Sequence, residues 1–133
     1  MKYFTIAELT KSRTAAAQGI DNAPSPTVIA NLNALVDHVL DPLREAWGHP
    51  LRVTSGYRCP QLNKAVGGVP RSQHMLGQAA DVTAGAPEAN ARLYALMQQL
   101  ELPVDQAINE HHYQWIHVSY GPRGRRRYFA INK

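Results

Sequence analysis

Two histidines and one aspartate have the side-chain types and the order from which a metal site could be built. His74 and Asp81 lie seven positions apart in the segment SQHMLGQAAD, and His117 follows 36 residues after Asp81. Imidazole nitrogens and carboxylate oxygens are common zinc ligands, and three of them leave a fourth position for water. Zinc can lower the pKa of that water to about 7, which makes it a nucleophile at neutral pH. These residues therefore indicate metal-assisted hydrolysis.

Spacing alone leaves a second interpretation of the three residues open. The chain has six histidines, so other sets of ligands could be drawn from it. His74 could cap a turn, Asp81 could be a solvated strand residue, and His117 could be a hydrogen-bonded histidine of the core. The small residues around His74 and Asp81 favour the metal, because glycine and alanine let the backbone pass close to an ion.

The helices that would position these side chains follow from apolar periodicity and from proline. Residues 1–26 are expected to be an irregular lead-in, in which FTIAEL could form a strand or a short helix. A long amphipathic helix follows with Thr27 as its N-cap, and Pro42 should kink or break it. A second helix is predicted to begin at Pro87. Residues 57–78 show no sustained period and are expected to form a long loop, which is a common location for function.

Alternating apolar and polar residues predict the strands. The predicted strands cover residues 51–56, 79–84, 104–109, 115–120 and 126–132, with 110–114 as a connection. In the fourth of them Trp115, His117 and Ser119 share one face. The order of elements predicts one α+β domain over residues 1–133, with a mostly antiparallel central sheet flanked by helices and the zinc site on the sheet.

Composition limits the classes of protein to which the chain can belong. An apolar fraction of 44% and a charged fraction of 18% are typical of a soluble globular protein. The net charge of +4 favours anionic partners such as cell-wall polymers, nucleic acid or a membrane surface. The single cysteine, Cys59, excludes an internal disulfide framework and is expected to have a packing role. No apolar run is long enough for a membrane span.

The C-terminal segment 124–133 is strongly basic. Four arginines lie between positions 123 and 127, next to Tyr128 and Phe129. Such a cluster would suit contacts with phosphates. The alternative, which we favour, is a solvated hairpin tip, so no nucleic-acid partner is predicted.

Two motifs together resemble the zinc peptidases of the D-alanyl-D-alanine carboxypeptidase family. They are VTSGYRCPQLNKAVGGVPRSQHMLGQAADV, which contains Ser-x-His-x6-Asp, and the strand WIHVSY, which contains Trp-x-His. The resemblance covers roughly residues 50–120 and is strongest to small phage and bacterial members that act on peptidoglycan cross-links. It implies the fold shared with hedgehog domains and a Zn²⁺ cofactor.

The resemblance also implies roles for individual residues. It makes His74, Asp81 and His117 the zinc ligands, as their types already suggested. Arg58, in the SGYR segment, matches an arginine that contacts substrate oxygens near the scissile bond, which suits the paired hydrogen bonds of a guanidinium. Ser72 and Tyr57 are assigned to substrate binding on the same grounds.

Glu110 is the predicted general base. It is the only acid between Asp105 and the C-terminus, and relatives carry a carboxylate a few residues before the last ligand. Its spacing to His117 is longer than the resemblance leads us to expect. Glu110 would therefore reach the water through a bulge, or the assignment is wrong.

A second departure from the family pattern lies two residues before the last ligand. Some relatives have a histidine at this position, whereas this chain has Trp115. His111 and His112 could stabilise an oxyanion instead, although adjacent residues point in different directions and at most one would face the metal. A surface role is the alternative for each.

The sequence thus predicts a zinc metallopeptidase, a carboxypeptidase or endopeptidase, that hydrolyses peptidoglycan stems at D-Ala-D-Ala or a related cross-link. A monomeric phage- or prophage-type lytic enzyme is expected. Because no secretory signal is visible, we expect cytoplasmic synthesis and action on the cell wall after release. The alternative is a non-catalytic, zinc-containing module of the same fold that binds peptidoglycan or a protein.

Overall fold

Residues 1–132 are described by a computed structural model, in which several helices come first, helices and strands alternate in the middle, and three consecutive strands come last. The helices are α1 (Ile6–Thr10), α2 (Arg13–Gln18), α3 (Pro26–Leu35), α4 (Asp41–Trp47), α5 (Pro60–Ala65) and α6 (Pro87–Gln99). The strands are β1 (Arg52–Ser55), β2 (Ala79–Thr83), β3 (Gln106–Glu110), β4 (Trp115–Ser119) and β5 (Arg127–Ile131). Two irregular helical turns, Val36–Leu40 (π) and Gln73–Leu76 (3-10), complete the set.

The five strands form one sheet in the order β1-β2-β4-β3-β5. The pairs β1–β2, β2–β4 and β4–β3 are antiparallel, whereas the edge strand β5 runs parallel to β3. The predicted α+β class with a mostly antiparallel sheet is therefore confirmed.

The two faces of the sheet have different chemistry because side chains alternate along each strand. One face contributes small and branched apolar residues to the main hydrophobic cluster, which also contains side chains of α3, α4 and α6; these sheet residues are Ala80, Val82, Ala107, Ile116 and Val118. The register places Asp81 opposite His117, and Glu110 opposite Trp115, on the other face. One face therefore anchors the sheet, and the other is available for chemistry.

The long helix runs from Pro26 to Trp47 but changes its winding before Pro42. Its N-cap is Ser25, whose Oγ accepts a hydrogen bond from the backbone N–H of Val28, so the predicted cap at Thr27 was wrong. At the end of the π-helical turn, the N–H of Asp41 donates to the carbonyl of Val36. A proline lacks an N–H and crowds the preceding turn, and the wider π turn accommodates it without ending the helix.

Two predictions of irregular structure were wrong. Within residues 1–26 the chain forms α1 and α2, which are capped by the side chains of Thr5 and Ser12. Within residues 57–78 it forms α5, which begins with Pro60 at its first turn, and the 3-10 turn. Elements of four to six residues are too short to establish a helical period in the sequence. In the described part of the chain, no helix has the length and apolar character required to cross a membrane.

Candidate metal centre

The side chains of His74, Asp81 and His117 meet on the polar face of the sheet. One potential ligand atom from each residue lies within 4.8 Å of those of the other two. Asp81 Oδ1 is 3.4 Å from His74 Nε2 and 3.0 Å from His117 Nδ1. Two imidazole nitrogens and one carboxylate oxygen at this separation could together hold one metal ion, and this donor set suits Zn²⁺.

The 3-10 turn orients the ring of His74. Ser72 caps this turn, since its Oγ accepts a hydrogen bond from the N–H of His74 at 3.1 Å. His74 Nδ1 lies 2.7 Å from the carbonyl oxygen of Gly56, and a carbonyl can only accept. In neutral His74 the proton is therefore on Nδ1, which leaves the Nε2 lone pair directed at Asp81. Metal-ligating histidines commonly have this outer hydrogen bond, so the site fits a metal.

Strand pairing brings the other two residues together. Asp81 on β2 and His117 on β4 are direct partners in the antiparallel ladder. Burial of Asp81 by itself raises the pKa of its carboxyl, but the hydrogen bond from His117 and the adjacent ring of His74 outweigh burial and hold this pKa well below its usual range. Asp81 is consequently a carboxylate at neutral pH, the form that binds a metal.

Arg58 lies beside the three residues and is held in place by its neighbours. Its NH2 is 3.7 Å from Asp81 Oδ2, its Nε donates to Ser55 Oγ and its NH1 donates to Asn63 Oδ1, each of these two at 3.1 Å. Burial lowers the pKa of the guanidinium, whereas the charges of Asp81 and Glu110 raise it. The structure therefore places Arg58 next to the site, as its predicted role requires.

Glu110 is the last residue of β3 and not part of the connection that was predicted to begin there. Its Oε2 accepts a hydrogen bond from Trp115 Nε1 at 2.7 Å. The β3–β4 register is regular from Ala107 to Glu110, so Glu110 lies on the same face as His117 without a bulge. The long spacing between the two residues comes from the turn that joins the strands.

The two histidines of that turn differ in position. His111 lines the same cleft as Glu110, and its ring centroid is 4.7 Å from that of Trp115. His112 does not line the cleft, and its backbone N–H donates to Asn132 Oδ1. Only His111 therefore has the position that contact with a substrate would require.

The His74–Asp81–His117 cluster, Arg58, Glu110 and His111 all line one cleft of about 1150 Å³. The cleft also includes Ser72 and Tyr57, which are both largely buried. The Ser72 hydroxyl is used in the cap of the 3-10 turn, and the N–H of Tyr57 donates to the carbonyl of Leu9. Burial raises the pKa of the Tyr57 phenol, so this side chain is neutral at physiological pH.

Sequence reasoning missed residues that hold the site. Asn63 is 3% exposed and bonds both Arg58 NH1 and the carbonyl of Val69. Ser55 receives the hydrogen bond of Arg58 Nε. A signal for Asn63 existed in Pro60, which marks the first turn of a helix, but the surrounding segment was predicted to be a loop. Cys59 has the expected structural role, because its Sγ caps α5 by accepting from the N–H of Leu62.

Comparisons with known proteins agree with this geometry. Residues 2–119 match the model of the family described as Peptidase M15. A zinc D-Ala-D-Ala carboxypeptidase of Streptomyces albus G is 39% identical over 85 residues, which are 62% of this chain and 32% of that protein. The matched stretch thus spans about a third of the relative's length. The family match contains all three residues of the cluster.

Proposed function

This chain belongs to the peptidase M15 family, and we propose that it is a zinc metallopeptidase that hydrolyses peptide bonds of peptidoglycan stems. The observation that carries the proposal is the His74–Asp81–His117 cluster, which lies in a cleft together with Arg58 and Glu110. The name of the Streptomyces relative supports a D-Ala-D-Ala bond or a related cross-link as the target.

The three residues of the cluster would hold the zinc ion. When bound there, zinc polarises the scissile carbonyl and lowers the pKa of water. In this proposal Glu110 takes a proton from the attacking water and delivers it to the nitrogen of the leaving amine. Its bond from Trp115 Nε1 fixes the carboxylate, because an indole N–H can only donate, and it leaves Oε1 for the water.

Arg58 supports the proposal through substrate binding. A guanidinium has five N–H donors, and Ser55, Asn63 and Asp81 face three of them. The remaining two can bind an oxygen of the substrate, either the carbonyl at the scissile bond or a terminal carboxylate. Because Arg58 is already positioned by its neighbours, it loses little freedom when the substrate binds. We further propose that the protein acts on the cell wall, as phage-type lytic enzymes do.

Product analysis tests this function. Purified peptidoglycan is incubated with the zinc-restored protein, and the products are identified by mass spectrometry. Release of free D-alanine would identify a carboxypeptidase, and loss of cross-linked dimers an endopeptidase. The Glu110→Gln variant keeps the shape of the side chain but removes the base, so it should bind zinc and lose at least a hundredfold in rate.

An unchanged digest would contradict the proposal. If the folded, zinc-loaded protein bound peptidoglycan without cleaving it, and Glu110→Gln bound equally well, a non-catalytic binding module would be the correct description. Arg92→Gln is the matched control, since Arg92 is exposed on α6 and does not line the cleft.

A further inference from the structure

The lining of the cleft has four exposed cations that the proposed mechanism does not use: Arg52 on β1, and three on segments next to α5. Lys11 and Arg13 lie at the start of α2, and Arg71 lies at the end of the segment 66–71, which follows α5; we call these three residues the basic wall. Among residues 1–132, no carboxylate forms an ion pair with any of the three, and their side chains make no hydrogen bond. Their charges are therefore available to a ligand.

The charge balance of the cleft favours an anionic ligand. Its lining contains five lysine or arginine residues but three carboxylates, those of Glu8, Asp81 and Glu110. The carboxylate of Asp81 already contacts His74, His117 and Arg58. The carboxylate of Glu110 accepts a hydrogen bond from Trp115. A concave surface with an excess of one sign of charge concentrates the field and attracts ligands of the opposite sign.

The basic wall is joined to the Arg58 site through α5. Asn63 Oδ1 accepts from Arg58 NH1, and Asn63 Nδ2 donates at 2.8 Å to the carbonyl of Val69, two residues before Arg71. On the other side, Ala15 and Ile20 pack with Leu62 in a small apolar cluster, which fixes α2 against α5. The cations thus lie on segments that contact the same short helix, in the cleft that also contains the His74–Asp81–His117 cluster.

We infer that Arg13 and Arg71, assisted by Lys11, form a second carboxylate-binding subsite, distinct from the contact made by Arg58. This inference rests on the proposed function, since it concerns the substrate of the same cleft. A stem peptide can carry a free carboxylate within its chain as well as at its C-terminus. The basic wall binds the internal carboxylate while Arg58 contacts the oxygens near the scissile bond, and it makes the protein selective for stems whose internal carboxylate is not amidated.

Two synthetic stem pentapeptides test the subsite. Both end in D-Ala-D-Ala, and they differ only in whether the second residue has a free α-carboxylate or a carboxamide. We expect the zinc-loaded Glu110→Gln protein to bind the carboxylate peptide about tenfold more tightly by calorimetry, and the wild type to show a similar preference in KM, because each solvent-exposed ion pair contributes modestly. When Arg13→Gln and Arg71→Gln are added, the preference should disappear, while the Kd of the carboxamide peptide stays unchanged.

This experiment distinguishes failure of the second subsite from failure of the proposed function. Arg92→Gln removes one positive charge outside the cleft and should keep the preference. Equal Kd values of the two peptides in the Glu110→Gln protein, or a preference in Kd or KM that persists when Arg13→Gln and Arg71→Gln are added, would overturn the second subsite. Hydrolysis of neither these peptides nor cross-linked peptidoglycan would refute the peptidase proposal, whatever the ratio of the two Kd values.

Discussion

At the scale of single residues, the position of Arg58 depends on a close approach between side chains and backbone. Asn63 Oδ1 accepts from its NH1, and the segment that follows α5 passes directly over this contact at Gly68. A Cβ atom on Gly68 would overlap Asn63 Oδ1 and would lie 2.7 Å from Arg58 NH1. Glycine at this position therefore lets the guanidinium and the amide meet.

Gly68→Ala is expected to lower kcat/KM at least tenfold while zinc binding is retained. The added methyl group displaces Asn63 and Arg58, and small errors in the position of a substrate-binding group are costly for catalysis. Steady-state kinetics together with zinc analysis would test this. Lys64→Ala, an exposed position on α5 outside the cleft, is the control and should keep full activity. Unchanged kinetics in Gly68→Ala would show that Arg58 needs no such support.

Residue types suggested His74, Asp81 and His117 as a possible ligand set, because few side chains bind zinc and all three belong to that group, but the family resemblance was needed to choose this set over the alternative. Residue types were insufficient for Asn63. An amide has no distinctive chemistry in a sequence, and its role arises only from burial between Arg58 and the carbonyl of Val69. The use of the Ser72 hydroxyl as a cap likewise depends on the 3-10 turn, which was not predicted.

At the scale of elements, the β3–β4 turn has an unusual backbone. His111, His112 and Tyr113 have φ values of 48°, 55° and 65°, in the left-handed region that disfavours residues with a Cβ atom. Asn109 Oδ1 accepts from the N–H of Tyr113, and Asn90 on α6 donates to the carbonyls of Tyr113 and Gln114. These bonds hold a strained turn that follows Glu110 directly and brings His111 to the cleft.

His112→Gly should stabilise the protein by about 0.5 kcal/mol. Glycine relieves the strain of the left-handed backbone, and this gain is larger than the stability lost because glycine raises the entropy of the unfolded chain. His112 is exposed, and its backbone bond to Asn132 is kept. Chemical denaturation would measure the change. The same substitution at His49, which does not have a positive φ, should destabilise by a similar amount. Destabilisation by His112→Gly would contradict the description of the turn.

Asp105 connects the C-terminal segment to the turn that carries His74. Its buried carboxylate accepts from Arg125 Nε and NH2 and from Gln73 Nε2. Hydrogen bonds from Arg125 hold the pKa of this carboxyl well below its usual range, although burial opposes them. Arg125, one of the arginines that could have suggested nucleic-acid binding, thus forms an ion pair within the fold.

Asp105→Asn should destabilise the protein by about 2 kcal/mol at neutral pH, the scale of hydrogen bonds to a charged group. Because the folded-state pKa is lowered, the carboxylate contributes fully above the ordinary value of about 4, and the contribution is lost as the pH falls through the folded-state value. Denaturation of both proteins between pH 7 and pH 3 should therefore show a difference that narrows below about pH 4. Asp37→Asn, an exposed carboxylate, is the control. A difference independent of pH would contradict this account.

The elements differed in how well their sequences predicted them. Strands β2 and β4 were predicted within one residue, because alternation identifies a strand with one apolar face. The parallel pairing of β5 with β3 left no signal, since alternation does not encode direction. The helices α1, α2 and α5 depend on caps and tertiary contacts more than on periodicity; α2 and α5 were missed, and α1 was one of two alternatives for its segment.

At the scale of the whole molecule, one face of the sheet contributes to the hydrophobic core and the other face has the candidate site. Its apolar face packs with α3, α4 and α6 in the main core, and its polar face has the metal centre and the cleft. The composition and the order of elements were sufficient to predict this class of fold. The joint position of Arg58, Asn63 and the basic wall required the packing of α5 against both α2 and the 3-10 turn. Long-range packing of this kind cannot be derived from local pattern.

The most direct test of the central claim is a zinc titration of the chelator-treated protein, with peptidoglycan hydrolysis measured at each step. We predict that the rate rises in proportion to bound zinc and reaches its plateau at about one ion per chain, as a single three-residue site requires. His117→Ala should neither retain zinc nor hydrolyse. Full hydrolysis without zinc, or a His117→Ala variant that keeps both zinc and hydrolysis, would contradict the assignment of this cluster as the metal centre of a peptidase.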